Sequence, residues 1–517
     1  MTSPEPGVAA APDACRQAIP IVAVAAGFVT LAFALRSSTF FHSVENWDES
    51  LYLLMARSLL EGHMPYTEVW NHKPPGIAVL FALGTLVFRD GVFAIRVLAC
   101  LAVSTSALLL YAIGRSVAGK TAGLVAGVFY LVFSLDYGLS SCLELFFAPP
   151  VLFAFWIALS RDVDELIAEP GPALAIGVAA GIALQLKLVV VFDFAALGLF
   201  VLCSLWARDR SAAQIVRFIV LVAIAPIASF AATALAFAAA GDFADYWDAN
   251  FAANARYVAE GRYDYDKLAW MITRRVRESF PLWFCMLLAP LYVNVLPWVD
   301  RRARRGITAG LVWAIFALLG IFAPRRLFAH YFVALLPAQC LLCALVASST
   351  IGAGTVGSRA RTALVLALVF LGPVLRAVDK PIARTAALVE HRWLEGIANW
   401  GDEPAQVADT LRPKLADGDL VYVADYHPIL YYLLGTSAPT RFPFPPFLVD
   451  DEWSQVTGID REREIRAIFA RRPRYVVKAH DAPTSFYRIV REELGRNYEL
   501  DMTVGSVEIY RRRGEPP

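Results

Sequence analysis

Charge is scarce in this chain. Only 18% of its 517 residues are Asp, Glu, Lys or Arg, against about 25% in a typical soluble protein. A dominant sign is also missing: 47 basic side chains meet 46 acidic ones, for a net charge of +1. This balance excludes a strongly basic nucleic-acid binder and an acidic tail. Cysteine is rare too, at 7 residues. No CxxC finds a partner pair, so the chain carries no zinc-ribbon or disulfide framework. Cys340 and Cys343 stand three apart inside LPAQCLLCAL, where a thiol acts as a small hydrophobe. No cysteine follows residue 380, so the tail has no disulfide scaffold. What the chain has in excess is apolar surface: 58% hydrophobic residues, 12% aromatics and a mean hydropathy of +0.52. That excludes one large soluble enzyme and a disordered chain, and points to a multi-pass membrane protein.

The apolar residues are gathered in runs near 18–35, 92–113, 120–137, 145–160, 173–186, 188–206, 216–240, 281–298, 307–322, 328–348 and 362–377. They predict an all-α membrane domain of about eleven spans. The first run has no small-x-small cleavage site before Ser37 and reads as an uncleaved span. With the N-terminus inside, Arg115, Lys120, Arg161, Arg208, Arg210, Arg217, Arg301, Arg302, Arg304, Arg305, Arg359 and Arg361 all fall on the cytoplasmic side. The short outer loops keep only Lys187, Arg325 and Arg326. Two long loops, 36–91 and 241–280, fall outside. So does the tail from 378, whose mixed composition predicts a soluble α/β domain. LVYVAD (420–425), RYVVKA (474–479) and SVEIYR (506–511) read as strands, and 461–472 and 485–495 as helices. The domain reading is thus 1–377 and 378–517.

The first outer loop carries the chemistry. Asp48 and Glu49 open an amphipathic helix over 48–61, which ends at Gly62 and is expected to lie on the outer membrane surface. The HKPPG stretch is stiff, because consecutive prolines fix φ, and it presents Lys73 before a second short helix, GIAVLFALGTLVF. From composition alone the acids are a helix cap and Lys73 is a snorkelling lysine.

The ordering of these residues adds more. WDESLYLLMARSLLEGHMPYTEVWNHKPPG resembles the first external loop of the GT-C glycosyltransferases, in particular the bacterial aminoarabinose transferases of lipid A and the protein mannosyltransferase relatives. The shared pattern comprises Asp48, Glu49, Tyr52, Ala56, Leu60, Gly62, Lys73 and Pro74. GRSVAGK (114–120), SSCLELFF (140–147) with Glu144, LQLK (184–187) with Lys187, and RRLFAHYFVALLPA (325–338) continue it in order.

The resemblance implies a glycosyltransferase that takes its sugar from a polyprenyl-phosphate donor. Transfer goes to a lipid, glycan or protein acceptor of the cell envelope, outside the plasma membrane of a bacterium, usually with inversion. It implies catalytic carboxylates among Asp48, Glu49 and Glu144, and a phosphate held by Lys73, Lys187, Arg325, Arg326 and Tyr331. Transfer needs a base for the acceptor and cations for the departing phosphate, and these residue types meet both needs. The chain departs from the aminoarabinose transferases at His72, where they carry an acid, and at Leu51, where they carry an arginine. No cofactor is implied with certainty; His72, His330 and His427 are the residues that could gather around a divalent metal. The alternative is a transporter of a lipid-linked sugar. It would need charges near the bilayer midplane, whereas here they cluster at span ends.

Overall fold

A computed structural model of the chain describes residues 20–136, 139–479 and 485–515. The N-terminal part is helical in the order α1 (Ile21–Arg36), α2 (Trp47–Leu60), α3 (Gly76–Phe88), α4 (Gly91–Ala118), α5 (Lys120–Phe133), α6 (Leu143–Ser160), α7 (Val163–Ala168), α8 (Pro170–Leu184), α9 (Val191–Trp206) and α10 (Ala212–Ala240). It continues through α11 (Phe243–Trp247), α12 (Ala253–Ala259), α13 (Tyr265–Glu278), α14 (Phe280–Asn294), α15 (Arg301–Phe322), α16 (Leu336–Gly352) and α17 (Val356–Leu388). Every apolar run read from the sequence falls on one of these helices. Among the described residues, seven helices are long and apolar enough to cross a membrane, and α3, α8, α14 and α16 are shorter apolar helices. The chain is a multi-pass membrane protein, and the two ends of its bundle differ. Asp48, Lys73, Glu144 and Lys187 sit at one end; Arg161, Arg208 and Arg301 follow or open the same helices at the other.

Glycine sets the closest helix crossing. A side chain on Gly123 of α5 would meet the Tyr111 carbonyl of α4 at 2.4 Å, and one on Gly114 would meet Gly123 itself at 2.8 Å. Only at this spacing do α4 and α5 pack backbone to backbone.

The C-terminal part is the expected α/β domain: α18 (Glu403–Leu411), β1 (Val421–Asp425), α19 (Ile429–Leu434), α20 (Pro446–Val449), α21 (Asp451–Thr457), α22 (Arg461–Ala470), β2 (Tyr475–Lys478), α23 (Ser485–Asn497), β3 (Tyr498–Val504) and β4 (Val507–Arg512). Its sheet has the order β1-β2-β4-β3, parallel between β1 and β2 and antiparallel elsewhere. Strand β3 is absent from the sequence reading. Its YELDMTV carries charges at 499 and 501, as an edge strand does. The signal was Gly505-Ser506, a two-residue turn with Gly505 at φ 58°. The boundary read at 377/378 falls within α17, which runs on to Leu388 through Pro373 and Pro381.

Segment 36–91 differs from expectation in one respect. Helix α2 does not lie on a membrane surface with one apolar face. It is buried on nearly all sides and feeds three hydrophobic clusters. Tyr52, Leu53 and Ala56 join the bundle core, Leu51 and Met55 join Tyr66 and Trp70, and Leu54 joins Val407 and Val421 of the α/β domain. The domain closes over it: Arg57 donates to the carbonyls of Tyr431 (3.0 Å) and Thr436 (2.8 Å), and Trp70 N–H to that of Arg441 (2.7 Å). An isolated amphipathic pattern cannot reveal that its polar side will be covered by residues hundreds of positions away.

Candidate active site

Asn46 starts α2. Its side chain accepts the Asp48 backbone N–H at 2.9 Å, so the cap is Asn46 and the Asp48 carboxylate is spared that task. Asp48 is about one-third exposed and has His330 Nε2 at 3.8 Å. Glu49, its neighbour, is 1% exposed and fully engaged. It receives a bidentate Arg96 guanidinium at 2.7 Å on each oxygen, the Ser141 N–H at 2.8 Å, and the Glu45 N–H. The catalytic reading of Glu49 is therefore corrected: a buried carboxylate with four donors has no lone pair to offer a substrate. It ties the loop before α2 to the loop before α6.

Lys73 is placed by its loop. Gly76 N–H donates to the Gln185 carbonyl at 3.0 Å, and a Cβ on Gly76 would stand 2.4 Å from that oxygen. Only glycine lets the His72–Pro75 turn dock on the end of α8, next to Lys187. Asn254 of α12 fastens the same turn by donating to the His72 carbonyl at 2.7 Å. Lys73 Nζ lies 2.7 Å from His72 Nε2 and 5.3 Å from the Tyr257 ring centre. Burial, and then the charge of Lys187, push the Lys73 ammonium down to about 7. Burial first and Lys73 second hold His72 well below the usual imidazole range, so its neutral Nε2 accepts from Lys73. Lys187 pairs with Glu144 and sits 4.1 Å above the Tyr331 ring. The Tyr331 hydroxyl meets that of Tyr257 at 2.7 Å. Glu144 is 2% exposed, and its Oε2 has no hydrogen-bond partner among the described residues. Arg326 is buried with its guanidinium 4.7 Å from the Tyr257 ring and 5.2 Å from that of Trp453.

Two cavities meet on these residues. One, about 560 Å³, is the more polar: Asp48, Asn71, His72, His330 and His427 line it, with Trp47 and Trp453. The other, about 270 Å³, is apolar: Leu188, Val189, Val191, Phe192, Val258 and Ile321 line it. Val191 and Val258 are 52% and 45% exposed, so this cavity opens on the flank of the bundle. Lys73, Glu144, Lys187 and Tyr331 line both. The arrangement is an apolar slot joined to a more polar chamber at a cationic, hydrogen-bonding neck.

Arg325, one of the expected phosphate ligands, is not part of it. It is exposed, at φ 54° past the end of α15, and lines neither cavity. The left-handed turn there sends successive side chains in opposite directions, so Arg326 goes in and Arg325 goes out. The three histidines do reach one chamber, but no group of three His, Cys, Asp or Glu among the described residues could hold a metal ion. His72 is taken by Lys73, His427 Nε2 accepts from the Trp47 indole at 3.2 Å, and His330 faces Asp48. This donor set does not fit a metal centre. Tyr257, Trp47 and Trp453 are contributors that the sequence did not single out. Tyr257 stands in an aromatic run, 246–267, whose composition suits an interfacial belt as well as a ligand pocket.

Residues 72–230 match the family model described as dolichyl-phosphate-mannose-protein mannosyltransferase. The match takes in Lys73, Glu144 and Lys187. The fold is similar to ArnT from Cupriavidus metallidurans bound to undecaprenyl phosphate, with a TM-score of 0.61 at 13% identity, over 96% of this chain and 98% of that one. ArnT in the apo state gives a TM-score of 0.56 at 15% identity, over 94% and 98% of the two chains. The oligosaccharyltransferase of Archaeoglobus fulgidus tethered with an acceptor peptide gives 0.50 at 14% identity, over 89% of this chain and 69% of that one. No curated protein matches the sequence. The chain thus shares the fold of ArnT over nearly its whole length, and the family match over residues 72–230 falls on the neck of the two cavities.

Proposed function

We propose that the protein moves a sugar from a polyprenyl-phosphate donor to an envelope lipid, glycan or protein, on the outer face of a bacterial plasma membrane. One observation carries this reading: the apolar slot and the polar chamber share Lys73, Glu144, Lys187 and Tyr331. The donor's isoprenoid chain fits the slot open to the flank, its phosphate fits the neck, and its sugar projects into the chamber toward Asp48.

Asp48 is the base. It takes the proton of the acceptor hydroxyl as that oxygen attacks the anomeric carbon from the chamber side. The bond from that carbon to the phosphate oxygen breaks, and the lipid phosphate leaves with the bonding pair. In-line attack inverts the centre. Lys73, Lys187 and the Tyr331 hydroxyl hold the phosphate as its charge grows. Glu144 holds Lys187 in place. Helices α1 to α17 form the catalytic membrane domain. The α/β domain shares the outer side and roofs the chamber with His427, Phe444 and Trp453. The test is direct: the purified protein in detergent, with no gradient, should release polyprenyl phosphate from a polyprenyl-phosphate hexose or pentose when envelope extract is added. No release with either donor class overturns the reading.

Sidedness has its own test. A reporter fused after residue 303, in the arginine-rich start of α15, should read cytoplasmic, and one after residue 390 external. The same side for both would refute the arrangement.

Lys73→Met should weaken donor binding about ten- to a hundredfold, the loss of one charge-assisted contact. Lys73→Arg should restore part of it, since a planar fork replaces a compact point charge. Affinity should also depend on pH. Lys73 titrates near 7 in the free protein, and a bound phosphodiester favours its protonated form. Binding should therefore be strongest below pH 7 and fall by up to about tenfold per unit above it. In Lys73→Met that slope should vanish. A slope that survives the substitution would remove Lys73 from the phosphate site.

A further inference from the structure

A third cavity, of about 480 Å³, lies at the other end of the bundle, formed by the far ends of helices that build the active site. Helix α6 makes the relation plain. Glu144 stands in its first turn and Arg161 follows its last residue, 17 residues further on. That is about 26 Å, close to the thickness of the hydrocarbon core. Arg161, Arg208, Arg301, Arg302 and Arg305 line the cavity, against Asp162 and Glu165.

Two acids here are committed; Glu165, which forms no ion pair among the described residues, offsets one further arginine. Asp162 pairs with Arg208, and Asp164 beside it pairs with Arg208 at 2.9 Å and Arg210 at 2.6 Å. Arg305 donates to the carbonyls of Arg161 (2.9 Å) and Ala158 (3.0 Å), which closes the end of α6. No carboxylate lies within ion-pair distance of Arg161, Arg301, Arg302 or Arg305 among the described residues. Asp300 caps α15 through the N–H groups of Arg302 and Ala303, so it satisfies backbone donors and not these guanidinium groups. The concave surface therefore holds uncompensated positive charge.

Tryptophans mark the depth of the site. Trp206, at the end of α9, is 78% exposed and Trp298, just before α15, is 55% exposed. The Trp156 ring centre is 6.0 Å from the Arg161 guanidinium. Tryptophan collects at headgroup level, so the cavity opens where lipid phosphates lie.

We propose that this cavity binds the phosphate headgroup of an anionic phospholipid of the opposite leaflet, with Arg301 and Arg302 as its principal contacts. A basic pocket between helix ends at headgroup depth suits such a headgroup. A soluble phosphate has the same chemistry but no acyl chains to lie along the exposed apolar faces of α9 and α15.

The experiment uses the full-length protein in a zwitterionic detergent and follows its thermal unfolding. Short-chain phosphatidylglycerol should raise the unfolding temperature in a saturable manner, and short-chain phosphatidylcholine should not. Arg301→Gln with Arg302→Gln should weaken the apparent affinity about thirtyfold, from a factor of about five per arginine. Arg301→Lys with Arg302→Lys should retain most of it. Lys73→Met should leave the shift intact, which separates this cavity from the phosphate neck. Inorganic phosphate producing the same shift at the same concentration would overturn the lipid assignment. A shift that survives the double glutamine variant, or is lost in Lys73→Met, would overturn the site.

Discussion

Asp48→Asn is expected to lower sugar transfer by about two to four orders of magnitude, the usual contribution of a positioned general base, while the protein folds as before. The structure supports both halves. The carboxylate lines the polar chamber, partly open and opposite His330, and makes no capping bond that the amide would have to replace. Asparagine keeps the volume and loses the ability to take a proton. Turnover measured at saturating donor, beside the unfolding temperature of the same preparation, separates chemistry from stability. Near-wild-type turnover would move the base to Glu144, whose unpartnered Oε2 is the remaining open carboxylate oxygen at the site.

The second large effect falls on stability. Glu49→Ala leaves the Arg96 guanidinium 1% exposed with its charge partner gone, and strips an acceptor from Ser141 and Glu45. Removing one member of a buried ion pair costs about 3–5 kcal/mol. The result should be a large fall in unfolding temperature, with activity lost in proportion to the folded fraction. Removing Arg96 as well should cost less than the two single changes added together, because the stranded charge goes with it. A Glu49→Ala variant that unfolds like the wild type but transfers no sugar would return Glu49 to the chemistry.

Adjacent acids thus have opposite fates, and nothing local distinguishes them. Asp48 and Glu49 share a helix turn, a charge and a family-like motif. They differ by about 100° around α2, which aims one at the chamber and the other at α4. The same holds for the adjacent Arg325 and Arg326, of which Arg325 is left-handed.

What the sequence determined by itself is the class of fold and the end of the bundle where chemistry gathers. Apolar runs and the placement of arginine are additive, local properties of the chain. Transfer from water to hydrocarbon reads them segment by segment, so the helices of the bundle were legible before any coordinates. The strands 420–425, 474–479 and 506–511 were legible from their short runs of β-branched and aromatic residues. The tertiary structure alone decided which carboxylate is free, which is bound, and where Lys73 stands. Those outcomes rest on contacts between distant segments: Gly76 on Gln185, Glu49 on Arg96, Tyr257 on Tyr331, and the α/β domain over α2. A charge's role depends on its partners within about 4 Å, and in a bundle those partners come from other helices, at separations that no sequence pattern encodes.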